Sequence, residues 1–203
     1  MSLLRQCFDG IATRTDGTHR WHRMCELRTS VVTAVRGKLF REGTPVSMKH
    51  FLQRRHVPFE VVAHEKAFDA PHLARALHTP GREVAKTVLL RVDHDYGYVL
   101  AVLPSTHMID LKKMSTFLGG AAVELATEHE IAQRCLDCEF GVLPPFGSHY
   151  GAQTIVDVSL TKDEHIAFES DSFTEAIRMT YWDFYNYEHP LVADFARRVE
   201  VPR

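Results

Sequence analysis

Val84-Ala85-Lys86-Thr87-Val88-Leu89-Leu90 sets a single ammonium inside a run of apolar and β-branched residues, the composition of a β-strand. A cation in an apolar strand is costly to desolvate unless something anionic meets it, so Lys86 asks for a carboxylate or a phosphate-bearing ligand. Further along, Gly141-Val142-Leu143-Pro144-Pro145-Phe146-Gly147 reads as a stiff loop. Its glycines let backbone approach a ligand, and its prolines fix the turn and remove donors, so the remaining N–H groups point in set directions. A cation facing such a loop describes an anion or ester site. Plainer readings stand beside this one: Lys86 as a snorkelling edge-strand side chain, and the loop as a connection like any other.

Outward from the lysine strand, Tyr96 to Leu103 forms a second strand, joined to Val84–Val92 through Asp93-His94-Asp95 as a hairpin. Upstream, residues 48 to 56 suit a short helix stopped by Pro58, Phe59 to His64 a strand, and Asp69 the cap of a helix with Pro71 in its first turn. Downstream, Asp110 caps Leu111 to Leu118, and Ala122 to Leu125 is a short strand. Thr127-Glu128-His129-Glu130 is a capping box opening a helix to about Arg134. Thr154 to Leu160 and His165 to Glu169 follow as strands, with Phe173 to Met179 and Tyr181 onward as helices. The strands lie too close together for repeated crossover helices. The expected fold is therefore α+β, a mixed, largely antiparallel curved sheet flanked by helices.

Composition bounds the function. The chain has 203 residues, enough for one ordinary domain with its own core. Residues 1–47 hold eight of the 24 Lys/Arg and four of the 26 Asp/Glu, leaving 16 and 22 for residues 48–203. An acidic body argues against extensive duplex binding, so DNA is not an expected partner. No apolar stretch reaches transmembrane length, so no membrane partner is expected. The four cysteines show no framework spacing, which suggests a reducing, cytoplasmic location. Residues 1–47 lack sustained periodicity, while Met48 onward reads like a natural start. Three accounts stay open for them: a disordered extension or upstream start, a transit peptide weakened by its acidic residues, or a small accessory with Val31–Val35 as a strand. The domain proper is taken as 48–203.

The order of several segments resembles one known family. They are His72-Leu73-Ala74-Arg75-Ala76-Leu77, Gly81 to Val88, Ala101-Val102-Leu103-Pro104, Asp110-Leu111-Lys112-Lys113, Leu125-Ala126-Thr127-Glu128, Asp137-Cys138-Glu139-Phe140-Gly141 and Asp157-Val158-Ser159-Leu160. Together, over about residues 48 to 180, they are similar to the YbaK/prolyl-tRNA-synthetase-associated family of aminoacyl-tRNA deacylases. The resemblance implies a free-standing editing hydrolase that acts on mischarged tRNA without metal or cofactor. Its partner would be the charged tRNA 3′ end, the aminoacyl-adenosine, with an aminoacyl-tRNA synthetase as a further candidate. It also implies that Lys86 is the required strand lysine, and that Gly141, Val142, Leu143, Pro144 and Pro145 form the Gly-x-x-x-Pro loop against the ester and terminal adenosine. Where several members carry a pocket histidine, the alignment places Phe173.

An aminoacyl ester needs no strong nucleophile, only a held carbonyl, donors for the developing oxyanion and a positioned water. Loop N–H groups at Gly141 and Val142 are candidate donors, with Lys86 on the adenosine phosphate or the ester and His64 as a site neighbour. A non-catalytic module of the same fold, sensing an amino-acid-like ligand or a partner protein, is the alternative. Cys135-Leu136-Asp137-Cys138 reads as buried or incidental thiols ahead of a redox or zinc site, which would need ligands such as His129 and His149. Ser105-Thr106-His107 suits a rim or turn better than a nucleophile and base. The aromatic run Tyr181–Tyr187 suits a docked terminal helix better than base stacking.

Overall fold

In the computed structural model, residues 47–93, 97–136, 138–139 and 141–199 are described. The readings made for the first 46 residues, and the hairpin tip at 94–96, lie outside them. Chain order runs α1 (Met48–Arg54), β1 (Glu60–Ala63), α2 (Ala70–Ala76), β2 (Ala85–Val92), β3 (Gly97–Pro104), β4 (His107–Ile109), α3 (Leu111–Phe117), β5 (Val123–Leu125) and α4 (Glu128–Ala132). It continues with α5 (Gly147–Tyr150), β6 (Gln153–Asp157), a 3₁₀ turn at Leu160–Lys162, β7 (His165–Glu169), β8 (Glu175–Thr180), α6 (Tyr181–Glu188), β9 (Leu191–Ala193) and β10 (Ala196–Arg198).

The caps expected from sequence form as local chemistry dictates. Asp69 accepts from His72 N–H, Asp110 from Lys112 and Lys113 N–H, and Thr127 and Glu130 close a reciprocal capping box. The β2–β3 hairpin pairs antiparallel with Lys86 opposite Leu103. It sits within a five-stranded sheet of order β5-β2-β3-β6-β9, in which β3–β6 and β6–β9 are parallel. A three-stranded antiparallel sheet, β1-β8-β7, carries the remaining long strands, and β4 pairs with β10. The fold is thus α+β with mixed sheets.

Two sequence expectations give way here. Phe173–Met179 is not helical: Glu175–Thr180 is the central strand β8, flanked by β1 and β7. Ile177 and Met179 lie in one hydrophobic cluster and Arg178 between them is exposed, while Ala176 is buried in another cluster on the opposite face, so the period-two alternation is short and is broken at the adjacent buried pair Ala176-Ile177. The strand expected over Thr154–Leu160 stops at Asp157, whose buried carboxylate accepts Ser159, Phe195 and Ala196 N–H and turns the chain.

Three clusters fill the interior. The first, on one face of the larger sheet, joins Leu90, Val92, Val99, Ala101 and Leu103 to Met114 and Phe195. The second lies between the sheets, where Ala85, Val102 and Val156 meet Phe168, Ile177 and Phe184, with Met48 and Leu52 of α1. The aromatic run of α6 accordingly docks through Phe184 into this core. The third is small in every sense: Ala67, Leu73, Ala74, Val84, Ala167 and Ala176. It forms where α2 meets β7 and β8, and where an isolated parallel bridge ties Val84 to Ala167.

Candidate active site

Side chains alternate along β2. Val84 packs in the third cluster and Val88 against the first, so Lys86 emerges between them on the same face. It is half-buried and makes no hydrogen bond or ion pair among the described residues. Burial lowers its pKa, with no opposing charge to restore it.

Gly141 opens the Gly/Pro loop and lies against Phe173. Its φ of +97° is a conformation that favours glycine, and a Cβ built there would lie 3.6 Å from Phe173 Cζ. Phe173 belongs to the turn between β7 and β8, and this turn is stitched to both neighbours. Ala67 and His64 donate their backbone N–H groups to the carbonyls of Phe173 and Thr174 at 3.1 and 2.9 Å. Glu139 N–H reaches Asp171 O at 2.8 Å, and Phe173 N–H reaches Glu139 Oε2 at 2.9 Å. Asp171 also receives Met48 N–H, which holds the start of α1 to the same turn.

The loop is clamped at its far end as well. Phe146 is wholly buried against Phe51, Phe168 and Phe184. Gly147 N–H donates to Thr154 Oγ1 at 2.9 Å, and Glu188 accepts from Ser148 and Thr154. Val142, Pro144 and Pro145 are buried and Leu143 partly so. Those side chains therefore fix the loop from inside, leaving Gly141 as its exposed member. Val142 N–H, expected as an oxyanion donor, is spent on Glu139 O at 2.9 Å, because the chain turns tightly there. Gly141 N–H has no partner among the described residues.

His64 Nδ1 lies 2.7 Å from Glu65 O. The carbonyl only accepts, so Nδ1 carries a proton, and Nε2 is buried without a partner among the described residues. Ser105 takes the turn role expected of it, donating to Gly81 O at 2.7 Å. Cys135 and Cys138 are joined as a disulfide instead of standing as separate thiols. The Cα atoms, 5.6 Å apart, are within bonding reach, and a lone CxxC does not reveal its state from sequence. Beside it, Cys135 Sγ meets Val142 O at 3.5 Å, and a cavity of about 230 Å³ is lined by Ile131, Leu136, Gly141 and both cysteines.

Several residues that sequence reasoning passed over lie around Phe173 and the turn between β7 and β8. Phe68, 69% exposed, stands with Phe173 at a ring separation of 5.3 Å. Lys66 Nζ sits 5.0 Å from the Phe68 ring and 5.9 Å from that of Phe173, within cation–π range. Lys66 also borders an open cleft with His72, Arg75 and His78. Glu169, at the end of β7, is a largely buried carboxyl pushed up to about 7 by its burial, with Asp69 and Glu139 adding repulsion. A lone acidic residue closing an apolar strand was the sequence cue for it. The segments that complete its surroundings lie far apart in the chain.

The sequence model of the aminoacyl-tRNA editing domain family matches residues 64–187, more than half of the chain. Among curated proteins, the multifunctional Ser/Thr-tRNA deacylase ProXp-y of Escherichia coli (strain K12) is 25% identical over 149 residues, covering 72% of this chain and 89% of its own. The same protein of Escherichia coli O157:H7 matches equally. Among solved structures, a candidate trans-editing enzyme for prolyl tRNA synthetase superposes with a TM-score of 0.62 at 18% identity, over 84% of this chain and 95% of that one. A hypothetical protein does so at 0.66 and 17%, over 73% and 98%. These likenesses establish the shared fold.

Proposed function

The chain belongs to the aminoacyl-tRNA editing domain family, and from that premise we propose that it removes amino acids from wrongly charged tRNA in trans, by ester hydrolysis. The observation that carries the reading is Lys86, a half-buried cation with no partner among the described residues, on a strand that enters the small-residue third cluster at Val84; the loop held at Gly141 against Phe173 supports it. The ester carbonyl lies toward Gly141 N–H, which donates to the developing oxyanion, and Lys86 takes the carbonyl or the adenosine phosphate. Water adds to the carbonyl carbon, the bond to the ribose oxygen breaks, and that oxygen leaves with a proton. Lys66, Arg75, His72 and His78 offer a basic lining for the phosphates of the tRNA end, which an otherwise acidic body lacks. The exposed Phe68–Phe173 edge offers a stacking face for the terminal base.

The cluster that β2 enters beside Lys86 holds four alanines, a small-residue neighbourhood that favours small substrate side chains. The Escherichia coli relative is named for serine and threonine, and side chains of that size agree with it. The test is a deacylation panel of cognate and mischarged tRNAs, with Lys86→Ala beside wild type. Release of a small amino acid by wild type and its loss in the variant are expected. Binding of charged tRNA with no release on any member of the panel would replace the hydrolase with a sensing module.

A further inference from the structure

The isolated bridge between Val84 and Ala167 is parallel, so two residues further along both strands, in the same direction, stand Lys86 and Glu169. Both share the face of the bridged pair, since Val84, Ala167 and Ala176, the register partner of Glu169, all pack in the third cluster. The two opposite charges nevertheless form no ion pair, and the carboxyl makes no hydrogen bond among the described residues, with Oε1 wholly buried. The charged groups that repel the ionised form of Glu169 are Asp69 at the start of α2 and Glu139 before the loop. Asp69 is engaged with His72, and Glu139 with Phe173 N–H. A buried carboxyl without a donor is costly. Nothing in the fold requires it there, because the register position opposite Ala176 suits any apolar residue.

Resting on the deacylase reading, we infer that Glu169 receives the α-ammonium of the aminoacyl ester, so that the site reads a free amino group and passes over N-blocked and peptidyl esters. The α-ammonium is the one cation that every aminoacyl-tRNA brings to its ester. An ester whose ammonium turns to Glu169 presents its carbonyl or ribose side to Lys86 and Gly141, and the reverse orientation sets cation against cation. An N-acyl group removes the positive charge and leaves Glu169 buried without a partner.

The experiment compares one tRNA carrying the same amino acid with a free or an acetylated α-amine, each enzymatic rate divided by the uncatalysed rate of the same ester. A charge-assisted hydrogen bond of ordinary strength predicts that wild type prefers the free amine by about 10- to 100-fold in kcat/KM. Glu169→Gln should bring the two substrates to within about threefold, mainly by raising KM for the free amine. A preference that survives intact in Glu169→Gln, or that wild type never shows, overturns the assignment. Should wild type hydrolyse neither ester, the hydrolase reading fails separately. Calorimetry with amide-linked aminoacyl-adenosine and its N-acetyl form then decides this one: tighter binding of the free amine by wild type but not by Glu169→Gln supports it, and equal affinities overturn it.

Discussion

The aromatic cluster between the sheets and the alanine-rich cluster beneath α2 are built on opposite rules. In the first, Phe146, Phe168 and Phe184 interlock, and the buried carboxylate at its edge, Glu188, is met by Ser148 and Thr154. Around the second, side chains are small and polar groups are left unmatched among the described residues: Lys86, Glu169 and His64 Nε2. The Tyr181 hydroxyl beside the aromatic cluster is also buried without a partner among them, so the contrast lies in the ionisable groups: Glu188 is met, whereas Lys86 and Glu169 are left open where a ligand can supply the missing partners. The first cluster serves the second by holding the loop through Phe146 and Gly147.

The comparison predicts that changes at the open region alter turnover with little effect on stability, and changes at the closed region the reverse. Lys86→Ala should show the largest effect, a loss of about 100-fold or more in deacylation rate, the scale of removing one transition-state donor. Thermal stability should be unchanged or higher, because a half-buried ammonium without a partner is removed; a large drop in melting temperature would assign the lysine to structure. Gly147→Ala should do the opposite. A Cβ there would meet Thr154 Oγ1 at 2.6 Å and Ala152 O at 2.7 Å, and backbone cannot yield as a side-chain tip can. A loss of roughly 1–3 kcal/mol of stability by denaturant titration is expected.

These contrasts also explain what was legible in the sequence. Lys86 stood out because one charge interrupts a local apolar pattern, and the caps at Asp69, Asp110 and Thr127 are decided within a few residues of chain. β8 reads as a helix because its alternation spans only Ile177 to Thr180 and is broken by the adjacent buried pair Ala176-Ile177. β4, β9 and β10, at three residues each, are too short to carry a period. The recess was hidden for a different reason. Phe68, Gly141 and Phe173 meet only after β1 pairs with β8 and the loop docks on the Asp171 turn, contacts between segments that local patterning does not connect.

Gly141→Ala sharpens the comparison, since this residue belongs to the open region but is held by the closed one. The added methyl has room, at 3.6 Å from Phe173, and the cost lies in the backbone at φ +97°. About 1–2 kcal/mol of strain is expected. If the loop relieves it by moving, kcat should fall while the melting temperature changes little; an intact kcat with the full stability loss would show that the loop stays in place.

The smallest effect is a pH dependence of stability that belongs to Glu169 alone. Its pKa is about 7 in the folded protein against 4.5 for a free glutamate, so between those values the folded state holds a proton that the unfolded chain has released. Stability from this group is therefore fully present below about pH 4.5 and is lost as pH rises through about 7. One proton permits a slope of at most about 1.4 kcal/mol per pH unit, and partial exposure of the group reduces it. Denaturant midpoints from pH 4.5 to 8 should decline less steeply for Glu169→Gln than for wild type, with Asp69, Glu139 and Lys86 still present in both and cancelling in the difference. Parallel profiles would mean that the carboxyl is solvated and paired in solution, and the open region would then lose the feature that most separates it from the closed one.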